Sequence, residues 1–305
     1  MLQANALLAL AAAVLWGGGD FSGGMAAKQA GSSMRGALRV VLTSHAASFC
    51  VLILIATLQR DRFPQGAPFW WGHAAGVLAG LALTGFYVAL SRGAMGVSAA
   101  ISGLLAAAIP AAVSIFEEGS PGVLRIAGFL IAGASIWMIA AGDIPEAKPV
   151  STGTTWLAIL SGAGFGLYFT ALKFAGVAGV VWPMATARMG SITTCTLLLA
   201  AMMFGNRRSS GSGEPDSSAN HQNANRWLPR RAILWALSTA VLDTSGNMLY
   251  IASTRAGRLD VAAVLASLYP ASTILLAAWA LHERPTRRQG LGMAVAAAAV
   301  VMITF

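Results

Sequence analysis

Along the chain, apolar runs of about twenty residues alternate with short polar breaks. A helix needs ~20 mostly apolar residues to cross a bilayer. Runs of that kind fall at 4–24, 37–58, 69–91, 97–116, 123–142, 153–173, 181–204, 232–254, 259–281 and 287–305. The pattern predicts an all-α integral membrane protein with ten transmembrane helices. One break is long: residues 205–231 are polar and rich in Gly, Ser and Asn, without apolar periodicity, and are expected to form a disordered linker.

The apolar pattern is written twice. Trp16-Gly-Gly-Gly-Asp20 through Lys28-Gln-Ala-Gly31 aligns with Ser161-Gly-Ala-Gly-Phe165 through Lys173-Phe-Ala-Gly176. Tyr87-Val-Ala-Leu-Ser-Arg92 aligns with Tyr250-Ile-Ala-Ser-Thr-Arg255, and Pro110 then Glu118 with Pro270 then Glu283. The Pro-punctuated stretch Asp143-Ile-Pro-Glu-Ala-Lys-Pro149 separates the copies. The expected units are 1–145 and 153–305, the second interrupted by the linker. Five spans per unit is an odd number, so the second unit is expected to be inverted relative to the first, with both termini on one face. Doubled apolar chains of this kind most often build transporters whose site lies between the halves.

Composition agrees with a bilayer as solvent. Hydrophobic residues make up 56% of 305 positions and charged residues 10%, with a mean hydropathy of +0.68; a soluble domain carries about 25% charge. The net charge of +9 is spread over Lys and Arg at segment ends, which is no nucleic-acid footprint. More of these cations flank the face away from the termini, and the positive-inside rule then puts the termini outside the cytoplasm. Cys50 and Cys195 both fall inside apolar spans and offer neither a disulfide framework nor metal spacing. No cofactor or nucleotide site is expected. The N-terminus lacks the charged start of a cleavable signal, so the first segment is expected to remain as a helix.

Ionisable groups inside spans are the candidates for chemistry. Asp20 sits in the first span, where a carboxylate costs at least ~2.5–3.5 kcal/mol on insertion scales. It is expected to face a partner or a water-filled cavity, and there it can take and release the proton that a proton-coupled carrier needs. Gly17, Gly18, Gly19, Gly23 and Gly24 around it suit close helix packing or a local break in the helix. Asp243 and Asn247 share one helical face in the eighth span. Arg188, in the seventh, either pairs with Asp243 or holds a substrate carboxylate on a cavity wall. His45 is a lone histidine on an apolar helix, suited to an interhelical hydrogen bond or to proton relay. Trp16, Tyr87, Tyr168, Tyr250 and Tyr269 can line a cavity, whereas Trp70, Trp71, Trp182 and Trp227 suit interfacial anchoring. Glu118 and Glu283 read as helix-end residues.

Leu281-His-Glu-Arg-Pro-Thr-Arg-Arg-Gln-Gly-Leu-Gly292 resembles the closing motif of the EamA-type repeat of the drug/metabolite transporter superfamily, where a Pro-containing span ends in a Glu-Arg-like turn followed by Gln-x-x-Gly. Gln289 and Gly292 match that motif, and Glu118-Gly-Ser-Pro121 followed by Gly128 is a looser copy. The opening Trp-Gly-Gly-Gly-Asp-Phe-Ser-Gly-Gly is similar to bacterial members. The resemblance implies two inverted five-helix EamA repeats forming a secondary carrier of small metabolites, with helices 1–4 and 6–9 around a central cavity. It also implies cytoplasmic termini, against the charge distribution. The expected function is gradient-driven transport, by export, of a small organic solute across the cell membrane. The partners are that solute and the lipid bilayer, and the protein is a monomer or homodimer. A membrane sensor or scaffold, and an intramembrane lipid-modifying enzyme, are the alternatives from other classes. No clustered histidines or Asp-x-x-Asp signature supports the enzyme.

Overall fold

The computed structural model describes residues 4–92, 95–140, 151–209, 227–281 and 286–304, and among these there is no strand. The first half forms α1 (Ala4–Gln29), α2 (Met34–Gln59), α3 (Ala67–Ser91), α4 (Met95–Glu118) and α5 (Val123–Ala140). The second forms α6 (Thr152–Ala175) with a 3-10 turn at Gly176–Ala178, then α7 (Val181–Ser209) and α8 (Arg230–Ala256). It closes with α9 (Leu259–Ala266), α10 (Tyr269–Leu281) and α11 (Arg287–Thr304). The connector 143–149, the turn 282–285 and residues 210–226 of the expected linker lie outside the described residues.

Seven helical stretches among the described residues are long and apolar enough to cross a membrane, and Val123–Ile139 is a shorter apolar one. Burial runs opposite to that of a water-soluble bundle. Leu58, Phe116, Val123, Leu130, Trp137, Leu160, Trp279 and other large apolar side chains are exposed, while Arg188, Asp260, Asn247 and many Ser and Thr are buried. In water such an apolar exterior is an aggregation liability; facing lipid tails it is at its lowest cost. The protein is a multi-pass membrane protein.

Close approach through small residues holds the bundle together, as expected where lipid supplies no hydrophobic drive between helices. α1 lies along α8 and α10, α3 along α6 and α7, α4 along α6, and α2 along α7 and α8, while α5 and α11 pack on each other at the side. On α1, a Cβ at Gly17 would overlap Ser272, and one at Gly19 would sit 3.3 Å from the backbone of Asp243. Hydroxyls bridge the same seam: Thr239 Oγ1 donates to the Gly19 carbonyl at 3.3 Å, and Ser253 Oγ to that of Asn5 at 2.7 Å.

Three points of the sequence reading are decided by the structure. For the glycine-rich stretch, close packing holds over a local break, and α1 runs unbroken, every glycine keeping its N–H for the helical ladder. The break falls instead at Ser267–Leu268, dividing the expected span 259–281 into α9 and α10. Pro270 causes it, having no N–H to donate and a ring that crowds the carbonyl four residues back. Third, the seventh helix runs to Ser209, five residues past its expected end at 204 and into the segment read as linker.

The closing motif has a structural role. The Thr286 amide donates to Gln289 Oε1 at 2.9 Å and the Gln289 amide to Thr286 Oγ1 at 3.2 Å, a reciprocal capping box that starts α11. Gly292 packs on Ile139 of α5, and Gly128 of α5 packs on Ile303 of α11. The matched glycines of the two halves thus form one reciprocal contact.

Candidate functional site

Both halves wall a small cavity in the middle of the bundle, with about 340 Å³ of empty space including the solvent at its opening. α1 contributes Trp16 and Asp20, and α3 contributes Leu83. α6 supplies Phe165, Tyr168 and Phe169, α8 supplies Asp243 and Asn247, and α10 supplies Tyr269 from just beyond the helix break. Helical spacing explains the grouping: Asp20 lies one turn beyond Trp16, Phe169 one turn beyond Phe165, and Asn247 one turn beyond Asp243.

Aromatic rings form the greater part of the wall. Trp16 stacks on Phe169 with centroids 4.7 Å apart and planes at 7°, and Tyr269 meets Trp16 edge-on at 6.4 Å. Phe165 lies parallel to Phe169 at 6.4 Å. The Trp16 ring has this place because α8 has a glycine, Gly246, where any Cβ would meet the indole.

Behind Asp243 lies a buried polar network. Arg188 of α7, 1% exposed, donates from one terminal nitrogen to Asp243 Oδ2 at 2.6 Å and to Thr244 Oγ1 at 2.8 Å. Its other terminal nitrogen points at His45 Nε2 at 2.7 Å. A guanidinium can only donate, so His45 Nε2 must accept, and the imidazole proton is on Nδ1, 2.6 Å from Ser191 Oγ. That tautomer makes the 3.9 Å approach of His45 Nε2 to Asp243 Oδ2 a neutral neighbour and not an ion pair. Asn247 Nδ2 donates to the Asp243 carbonyl at 2.7 Å, leaving Asn247 Oδ1 without a partner among the described residues. Tyr168 Oη is likewise unpartnered. Asp20, 9% exposed, makes no hydrogen bond among the described residues and repels the nearby Asp243 carboxylate.

From the cavity toward the C-terminal ends of α6 and α8, the chain meets Tyr250 and then a charge cluster. Lys173 bonds Glu117 at 2.9 Å and Glu118 at 2.5 Å, joining α6 to α4. Arg258 bonds Asp260 at 2.7 Å and the Gly119 carbonyl at 2.8 Å. Hydrogen bonding to Asp260 holds this guanidinium above its usual pKa, so it stays charged. Arg255 caps the 3-10 turn through the Gly176 carbonyl.

The model of the EamA-like transporter family matches residues 152–305, just over half of the chain. The chain belongs to the EamA-like transporter family. It is accordingly a membrane transporter of the drug/metabolite transporter superfamily. A protein of known crystal structure is similar over 98% of this chain and 96% of its own, with a TM-score of 0.67 at 16% identity. At that identity the likeness shows the fold alone. No match was found among curated proteins.

Of the residues singled out in the sequence of this EamA-like transporter, Asp20, Trp16, Tyr168, Asp243 and Asn247 line the cavity, as does Tyr269. Arg188 and His45 lie behind the wall, joined to it through Asp243. Tyr87 is buried against Gly23, and Tyr250, 0% exposed, stands behind Phe169, whose carbonyl its hydroxyl faces at 3.4 Å. Sequence reasoning missed Leu83, Phe165 and Phe169. The signal for Phe165 was its alignment with Asp20, and Phe169 follows one turn later. The Lys173 to Glu118 bridge was also missed, although both are repeat landmarks.

Proposed function

We propose that this transporter works by alternating access, carrying a small organic solute through a cavity between two inverted five-helix repeats, 1–145 and 153–305. The observation that carries the reading is the cavity walled by both halves and holding Asp20, a carboxylate without a hydrogen bond among the described residues. Helix pairing supports it: exchanging the halves turns the α1–α8 contact into α6–α3 and α2–α8 into α7–α3, and leaves α2–α7 and α5–α11 as they are. In this reading α5, α8 and α11 join the seven apolar stretches to make ten spans, with α9 and α10 counted as one broken span. α8 falls short in apolarity because Asp243 and Asn247 face the cavity. At 18 residues each, α5 and α11 extend about 27 Å, close to the ~30 Å hydrocarbon thickness.

Asp20 is the proton-coupling group, and the Lys173–Glu118 and Arg258–Asp260 cluster closes the cavity at one end. Transport is gradient-driven, and export across the cell membrane is the direction. The test is flux in proteoliposomes with an imposed proton gradient. Asp20→Asn should abolish gradient-driven movement while leaving expression and folding intact, and unchanged transport would remove Asp20 from the mechanism.

A further inference from the structure

The cavity identifies the charge of its solute. Two carboxylates, Asp20 and Asp243, line it, and among the described residues no Lys, Arg or His does. Arg188 stands behind the wall, with both terminal nitrogens engaged by His45, Asp243 and Thr244. His45 accepts from Arg188 and is neutral, so it adds no positive charge. When Asp20 has released its proton, one guanidinium stands against two carboxylates, and the site is then one positive charge short. The unpartnered polar atoms among the lining residues include an acceptor that cannot donate, Asn247 Oδ1, and the Tyr168 hydroxyl. Buried acceptors without donors carry a desolvation penalty, which a ligand rich in N–H groups relieves. Around them Trp16, Phe165 and Phe169 present ring faces and edges, and ring faces attract cations as well as apolar bodies.

We infer that the solute is an organic monocation, a primary amine or guanidinium on a compact apolar or aromatic body. Its charged end lies between Asp20, Asp243 and Asn247, and its body lies against the Trp16–Phe169 stack. This goes against the sequence-based option that Arg188 holds a substrate carboxylate, because both terminal nitrogens are bonded to protein acceptors and only the buried Nε is left without one among the described residues. The inference rests on the transport reading above for its biological sense and is open to a test of its own.

The full chain in detergent is titrated with 2-phenylethylamine, 3-phenylpropionate and 2-phenylethanol, three probes of similar size differing in charge, and the same three are offered for counterflow in proteoliposomes. The amine should bind at least about tenfold more tightly than either counterpart, and Asp20→Asn should weaken it by about tenfold or more. The inference is overturned if the carboxylate binds better, if the amine does not bind, or if Asp20→Asn leaves amine affinity unchanged. Exchange of the carboxylate without the amine would overturn the cationic class and keep the transport reading. Selective binding of the amine with no exchange of any probe would keep the class and overturn transport.

Discussion

Asp20 and Asp243 line one cavity, yet the structure assigns them opposite effects on stability. Asp243 is the counter-ion of Arg188, at 2.6 Å from a guanidinium that is 1% exposed. Asp243→Asn keeps an acceptor oxygen for Arg188 and removes the charge. The loss should exceed about 1.5 kcal/mol, the low end for a hydrogen bond to a charged group. It should stay below the ~3–5 kcal/mol of stripping a buried charge of its partner altogether. At about 2–4 °C per kcal/mol, the Tm should fall by roughly 3–20 °C. Asp20→Asn removes a carboxylate that has no hydrogen bond among the described residues and repels Asp243. Its Tm should hold or rise, the gain bounded by the ~2.5–3.5 kcal/mol that insertion scales charge for Asp at a helix centre.

The assay is thermal unfolding of the two variants and the parent in one detergent at one scan rate, since unfolding of such proteins is rate-governed. Equal losses, or a larger loss for Asp20→Asn, would refute the reasoning, because Asp20 would then have a structural partner.

Five further variants have expected outcomes in the same assay. Arg188→Lys should lower stability by about 1–3 kcal/mol, because one ammonium cannot replace a fork reaching three side chains on two helices, α2 and α8. Gly76→Ala should cost about 1–3 kcal/mol, since the new Cβ meets the Ala187 carbonyl and must push α3 from α7, whereas Gly290→Ala meets open space on α11 and should be neutral or gain up to ~1 kcal/mol. Lys173→Met should cost no more than about 1 kcal/mol, because its partly exposed bridges are screened. Thr286→Ala should cost about 1 kcal/mol through loss of the α11 cap.

The all-helical membrane class was legible because apolar run length is a direct readout of bilayer thickness. The Arg188–Asp243 pair was legible because two opposite charges at mid-span have few other ways to be neutralised. The place of the helix break was not. Glycines around Asp20 suit a tight contact first and a break second, and the neighbours of Gly17 and Gly19 decide for contact. The aromatic wall was hidden for a related reason: Phe165 and Phe169 look like lipid-facing residues until the pairing of α6 with α1 and α8 is known. Tyr87 and Tyr250, conspicuous because they match between halves, proved to be packed residues.

In the two-repeat arrangement proposed above, positions that do not match between the halves can make the carrier directional. The matched positions Gly128 and Gly292 form packing between the halves. Asp20 and Phe165 are matched too, but both face the cavity, one with a charge and the other with a ring. Exchanging the conformations of the two repeats, the motion proposed here, would place the ring where the charge had been in relation to the opening. The two end states therefore present different chemistry to the solute and differ in affinity, since a state can be favoured only through differential interaction. Replacing Phe165 by Asp would restore the symmetry of that pair. Binding of 2-phenylethylamine measured from the two sides of oriented vesicles should then become more nearly equal, and an unchanged difference would place the asymmetry elsewhere.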